Sequence, residues 1–273
     1  MSLRVPDSLT ASHSENYRTS VRLWPGGLSF SGGIPSDEGS FFYAETEVDA
    51  AQPYLQALRD LFRQHPFLTY PYASVRVVTS EPNYTWVPEV IYEDEAKERL
   101  YRFSFAGAVE EVLAQPLKAM ESVLLFGLRH DLHEFVLQTI HNARWEHGLA
   151  SLLQRWHGHS LRALHAEMYA IVHDRTMDVA CFDRGALRFL NRFEVETDDD
   201  IMYYLLYAWK QLSLDQRSDT LTLSAVASTA FDLKEKLQTY LRNIRVEAIE
   251  TLYRADDREA TLGNQAEANA VNA

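Results

Sequence analysis

The same order of five local elements is written twice in this chain, and that repetition constrains its fold more than any other feature. In the first copy, "YRTSVRLWPGGLSFSGGIP" (17–35) alternates Val21 and Leu23 with polar or charged neighbours. It turns at Pro25, Gly26 and Gly27 and resumes with Leu28 and Phe30, the pattern of a β-hairpin. A third strand, "SFFYAETEV" (40–48), precedes a helix, "AAQPYLQALRDLFRQHP", in which Tyr54, Leu55, Leu58, Leu61 and Phe62 recur at helical spacing. Asp49 stands where a helix cap is expected, and Pro53 falls in the first turn, where a missing N–H costs little. "YASVRVVTS" (72–80) closes the unit as an alternating strand.

The second copy repeats the order. "HAEMYAIVHD" (165–174) and "MDVACFD" (177–183) form a hairpin, "ALRFLNRFEV" (186–195) a third strand, and Thr197 caps the helix of "DDDIMYYLLYAWKQLSL". "DTLTLSAVAS" (219–228) is the closing strand. The second strands start at Leu28 and Met177 and the helices follow Asp49 and Thr197, offsets of 149 and 148 residues. The same order at nearly the same offset implies an internal duplication of a βββαβ unit.

Residues 93–164 differ in character. "EDEAKERLYRFSF" (93–105) reads as a charged approach to a strand and "KAMESVLLFGL" (118–128) as a buried strand. Helices are expected in "RHDLHEFVLQTI" and "WEHGLASLLQRW". The stretch 230–257 reads as helical, with Leu233, Leu237, Tyr240, Leu241 and Ile244 on one face. The domain reading is an N-terminal tail (1–16), a first lobe (17–164), a second lobe (165–257) and a frayed tail (258–273) too poor in apolar residues to pack.

Composition narrows the function classes. With 273 residues, the chain is long enough for one large core or two ordinary domains. Its 46% apolar and 24% charged residues are those of a globular protein. The longest apolar run, "SVLLFGL", is too short to span a bilayer, and the first twenty residues lack the apolar centre of a secretory signal. One cysteine, Cys181, excludes an internal disulfide, so the cytoplasm is the expected compartment. A net charge of −13 repels a phosphate backbone, so no nucleic-acid partner is expected.

A duplicated βββαβ unit with inserted helices resembles the actin, heat-shock chaperone and sugar-kinase superfamily, whose fold is ribonuclease-H-like. More narrowly, "VRLWPGGLSFS", "EPNYTWVPEVIY", "SVLLFGL", "DIMYYLLYAWKQLSLD" and "LTLSAVAS", in that order, are similar to an uncharacterised bacterial family, domain of unknown function 3822. The resemblance implies an α/β protein of two lobes, each with a mixed sheet flanked by helices.

It also implies where a nucleotide would sit. In that superfamily two hairpin turns bring backbone N–H groups against phosphates, which favours glycine. An aspartate at each turn holds Mg²⁺ or its water shell, and a glycine pair after the last strand admits adenosine. Here the first turn keeps Gly26 and Gly27, but Trp24 and Pro25 stand where its aspartate belongs. The second keeps Asp174, but Arg175, Thr176 and Met177 replace its glycines, and the adenosine pair becomes Ser224-Ala225. The expectation is a protein without ATPase activity, cofactor or metal, serving as a protein-interaction or scaffold module for another protein. The alternative is a nucleotide-binding protein or ATP-dependent enzyme. It would hold ATP with Mg²⁺ through Gly26, Gly27, Asp174, Arg175, Thr176 and Ser224.

Other clusters have bland readings beside their chemical ones. Eight of ten histidines lie between His130 and His173. The His130/His133 pair and "WHGH" (156–159) have metal-ligand character, but without cysteine pairs or an HExxH spacing they read as surface histidines. "EVETDDD" (194–200) resembles a cation site, and equally a charged helix N-terminus capped by Thr197. Ile201, Tyr204, Leu205, Ala208, Trp209 and Leu212 form a stripe that suits packing on a sheet. Cys181 reads as an inert core residue. "EPNYTWVPE" (81–89) reads as a loop bordering a ligand crevice or covering an apolar edge.

Overall fold

Val21 and Leu23 point into one core while Ser20 and Arg22 face the other way, and all four are buried. This alternation makes β1 (Arg18–Trp24) the middle of a sheet covered on both faces. The computed structural model describes residues 3–49, 51–106 and 111–263. In it β1 pairs antiparallel with β2 (Gly27–Ile34), and β2 with β3 (Asp37–Glu47). On its other side β1 runs parallel to β4 (Ser74–Thr79), and β4 to β8 (Ala143–His147). The order is β3-β2-β1-β4-β8. α1 (Tyr54–Gln64) and α3 (His130–Thr139) bring Leu58, Leu61, Phe62, Leu132 and Val136 to the core on the Val21 side.

The second sheet repeats the plan as β11-β10-β9-β12-β13. Its strands are β9 (Glu167–Val172), β10 (Thr176–Asp183), β11 (Ala186–Glu194), β12 (Thr220–Ala225) and β13 (Asn243–Ala248). α5 (Asp198–Gln211) and α6 (Ala227–Leu237) cover one face through Ile201, Leu205, Trp209, Ala230, Leu233 and Leu237. β1, β2 and β3 begin at residues 18, 27 and 37; β9, β10 and β11 begin at 167, 176 and 186, each 149 residues later. The expected duplication and two-sheet α/β fold are therefore present.

A small antiparallel sheet, β5-β7-β6, is inserted before β8. It comprises β5 (Tyr84–Pro88), β6 (Glu111–Leu117) and β7 (Ser122–Leu128), with α2 (Lys97–Ser104) packed on it through Tyr101. β7, the "SVLLFGL" stretch, is buried at every position.

By contact density the chain forms two units. One holds the described residues up to Ala150 and from Asp256 onward; the other is Ser151–Ala255. The boundaries fall inside α4 (Gly148–Ser160) and α7 (Ile249–Leu262).

Several local expectations are corrected. Asp49 does not cap α1: that helix starts at Tyr54 after Pro53, and the Asp49 carboxylate accepts the Ala51 N–H instead. Residues 81–89 are not a loop, because Tyr84–Pro88 pairs with β7. Within 93–105 the charged approach is a helix, α2, whose single buried side chain is Tyr101. Trp145–His147 belongs to β8 rather than to the helix that follows. The helical reading of 230–257 breaks at β13, where Ile244 and Val246 alternate and pair with β12. Leu3 and Leu9 lie in the first core, so part of the expected N-terminal tail is packed. Of the expected frayed segment, 258–262 completes α7, and 264–273 lies outside the described residues.

The face of the first sheet opposite Val21 is held by charge. Asp256 and Asp257 of α7 are buried against Arg22 of β1 and Arg76 of β4. Arg22 Nη2 donates to Asp256 Oδ2 at 2.7 Å and to Asp257 Oδ1 at 2.9 Å, and Arg76 Nη1 donates to Asp256 Oδ2 at 2.9 Å. Ser20 Oγ donates to Asp257 Oδ1 at 3.0 Å, and Glu146 of β8 takes Arg76 Nε at 2.5 Å. Burial by itself would lower the Arg76 pKa, but the three carboxylates outweigh it and raise it. Small residues make room for the helix: a Cβ on Gly33 would meet Leu262 Cδ2 at 2.6 Å.

Desolvating five charged groups costs several kcal/mol each, so the cluster is stabilising only while complete. Asp257→Ala is expected to cost about 3 kcal/mol, because it leaves the buried Arg22 and Arg76 sharing the one Asp256 carboxylate and takes the acceptor from Ser20. Urea denaturation reads this as a lower midpoint at unchanged slope; a midpoint within error of wild type would refute it.

Candidate functional site

The turn between β1 and β2 leaves Pro25 and Gly26 exposed and buries Gly27. Trp24 ends β1 opposite Gly27, and its indole folds back over the glycine pair. A Cβ on Gly27 would collide with the Thr46 carbonyl oxygen and come within 2.8 Å of Trp24 Cζ2; one on Gly26 would lie 3.5 Å from Trp24 Nε1. Neither glycine has a left-handed φ. Gly27 is therefore glycine because of these two neighbours, not because of its dihedral angles. The carbonyls are engaged as well: Val48 N–H donates to Gly26 O at 3.0 Å, and Tyr54 Oη donates to Gly27 O at 3.2 Å. Burial, with the Glu81 charge adding to it, raises the Tyr54 pKa.

The turn between β9 and β10 spans His173–Thr176 and is closed by His173 N–H to Thr176 O at 2.8 Å. Asp174 and Arg175 are exposed on it. Arg175 pairs with Glu196 at 2.9 Å, and its carbonyl accepts the Val195 N–H. Ser224 is buried near the end of β12, in register with Ile171 of β9 and Glu247 of β13. Asp174, Arg175, Thr176 and Ser224 thus gather at one end of the second sheet, while Gly26 and Gly27 belong to the first.

Behind the second turn lies a charged group that spacing did not reveal. Asp178 of β10 is buried and receives Arg192 of β11 in a fork, Nε to Oδ1 at 2.6 Å and Nη2 to Oδ2 at 2.7 Å. His173 Nε2 adds a contact to Oδ2 at 3.1 Å. Burial alone would raise the Asp178 pKa; the His173 and Arg192 bonds and the guanidinium charge outweigh it and hold the carboxyl well below the usual range. The signal was available only as register, since Asp178 and Arg192 lie opposite each other across the β10–β11 hairpin.

The acidic run takes the reading of a charged helix N-terminus. Thr197 and Asp200 form a capping box on α5, and Asp198 pairs with Lys236. Three aspartates beside the positive end of a helix dipole are favourably placed, which accounts for the acidic run without a ligand. His130 and His133 both approach Glu111 Oε2, at 3.4 and 2.5 Å. Among the described residues no group of three or more His, Cys, Asp or Glu is arranged to hold a metal ion. Cys181 is buried in β10, and burial pushes its thiol up to about 12, so it is no nucleophile. A cavity of about 370 Å³ opens among His165, Cys181, Arg184, Arg188, Ser213 and Asp219. It lies at the end of the β9–β10 hairpin away from Asp174. Among the described residues no helix is long and apolar enough to cross a membrane.

The first turn offers an indole in place of a carboxylate, and the second offers one exposed aspartate beside an arginine already paired.

Comparison with known proteins agrees with the architecture. The model of a family described as protein of unknown function (DUF3822) matches residues 6–244. The chain is similar to a protein of actin-like ATPase fold and unknown function from Bacteroides thetaiotaomicron, with 28% identity and a TM-score of 0.81. That match covers 89% of this chain and 94% of the other. More distant likenesses are to the PilM-PilN type IV pilus biogenesis complex, with 11% identity, 85% and 88% coverage and a TM-score of 0.49. The ethanolamine utilization protein EutJ from Carboxydothermus hydrogenoformans gives 10% identity, 90% coverage of both chains and a TM-score of 0.46. These two carry no argument about function. No curated protein matches the sequence.

Asp178 makes stability depend on pH in a defined direction. Its folded pKa lies below the unfolded value of about 4, so its contribution is complete above that value and is lost as pH falls toward the folded one. The stability gap between wild type and Asp178→Asn should be full at neutral pH and shrink in acid. Thermal melts of both proteins at neutral and strongly acidic pH measure it; a gap that stays constant would contradict the assignment.

Proposed function

This chain belongs to the DUF3822 family of proteins of unknown function, and we propose that it works as a non-catalytic protein-interaction module on an actin-like ATPase fold. The observation that carries the reading is the Trp24 indole lying over Gly26 and Gly27, where a phosphate-binding turn needs open backbone N–H groups. Arg22 and Arg76 add to it. They place guanidinium groups on the central strands of the first sheet, where a divalent cation would want oxygen ligands. Large side chains left in solvent, Tyr203, Tyr207, Phe231 and Tyr240, supply surface for a partner.

The second reading, a nucleotide-binding protein, draws on Asp174, Arg175, Thr176 and Ser224 sharing one end of a sheet. Melting curves with and without millimolar ATP and Mg²⁺ separate the two. A ligand at one hundred times its Kd stabilises a fold by about 2.7 kcal/mol, so micromolar binding would move the transition by several degrees. The expected result is superimposable curves and no phosphate release. A shift abolished by Asp174→Ala, accompanied by turnover, would establish the second reading instead.

A further inference from the structure

The cavity of about 370 Å³ at the end of the β9–β10 hairpin away from Asp174 lies wholly within the second unit. Two of its walls are bends in the left-handed region. Arg184 and Gly185, at φ 47° and 85°, make the two-residue turn between β10 and β11. Ser160 Oγ fixes that turn by accepting the Gly185 N–H at 2.7 Å. Ser213, at φ 56°, ends α5, with its N–H on the Lys210 carbonyl and the Leu214 N–H on the Trp209 carbonyl. Glycine takes such conformations at least cost, yet an arginine and a serine stand at two of these positions, and both line the cavity. Non-glycine residues held this way cluster where a chain clamps a ligand.

The lining rules out most classes of occupant. Its fixed charges balance, Arg184 and Arg188 against Asp183 and Asp219. An anion alone would face two carboxylates, and a cation alone two guanidinium groups. Among the described residues no Phe, Tyr or Trp lines the cavity, so a nucleobase or sugar ring finds no aromatic face to stack on. A molecule that carries both charges answers both sets. The arginines have donors to give, because each touches Asp183 through one long contact, Arg184 Nε at 3.3 Å and Arg188 Nη1 at 3.5 Å. A firm charged hydrogen bond is roughly 2.7–2.9 Å. Asp219 is held in place by the Ala166 and Asp215 N–H groups, one on each oxygen, at 3.0 and 2.7 Å. The apolar wall is aliphatic, with Leu164, Leu212 and Leu214, and Leu164 stands almost fully in solvent. We propose that this cavity binds a free aliphatic α-amino acid. Its carboxylate lies on Arg184 and Arg188, its ammonium on Asp183 and Asp219, and its side chain against the leucines. The site is separate from both hairpin turns of the nucleotide reading, so it stands whichever reading of those turns holds.

The test is isothermal titration of the full chain with L-leucine, with L-leucinamide, which keeps only the ammonium, and with N-acetyl-L-leucine, which keeps only the carboxylate. Inorganic phosphate and glucose are titrated beside them. The expected result is saturable binding of L-leucine, binding of each derivative weaker by roughly tenfold or more, and no heat from phosphate or glucose. Arg184→Gln/Arg188→Gln is expected to weaken L-leucine by roughly tenfold or more as well. Both arginine side chains are more than half exposed, so circular dichroism of the double variant should match wild type. No binding of L-leucine, a derivative that binds as tightly as L-leucine, or an affinity unchanged in the double variant overturns the proposal. So does phosphate or glucose that competes with L-leucine, since the cavity would then be an anion or polyol site. Should the double variant fail to fold, the comparison of L-leucine with its two derivatives on the wild-type chain decides by itself.

Discussion

Two aspartates near the end of the described chain, buried against two arginines near its beginning, hold the first unit together. Asp256 and Asp257 reach Arg22 and Arg76 across the polar face of the first sheet. Without those carboxylates the guanidinium groups would sit in a low-dielectric interior with too little compensating charge. α7 therefore belongs to the first unit in its C-terminal half, although the chain reaches it only after completing the second sheet. The small side chains of that face, Ser20, Ser29, Ser31 and Gly33, are the steric counterpart of the same arrangement, because a larger residue there would lift the helix off its ion pairs.

The same face bears on function. A fold of this kind can bring phosphate and metal to the ends of its strands only if the turns stay open and the nearby charge is acidic. Here the Trp24 indole packs beside Gly26 and Gly27, and the adjacent strands carry guanidinium groups neutralised from behind. Arg175 at the second turn is answered by Glu196 and Asp178 by Arg192, while Asp174 is exposed.

Much of the fold was readable from pattern. The repeat offset survives in three strands of each unit, and the Thr197 cap and the buried Ile201–Trp209 stripe follow from local rules that involve neighbours a few residues apart. The misses share a cause. β5, α2 and β13 are short elements whose identity is set by the strand or sheet they meet. Tyr84–Pro88 becomes a strand because β7 offers it a free edge, and Asn243–Ala248 because β12 does. At the candidate site the departures from a glycine-rich pattern were visible as letters. That Trp24 lies across Gly27, rather than away from it, was not.

The sequence alone determined the duplicated βββαβ plan, the absence of a disulfide and the altered turn residues, since each depends on residue order over short distances or on composition. Tertiary structure decided which charges are buried and which remain exposed. Arg22 finds its carboxylates 234 and 235 residues away, and no periodicity links positions so far apart. Burial there is a property of how α7 lies on the sheet, and the cost of desolvating an ion depends on that placement rather than on the residue's own identity.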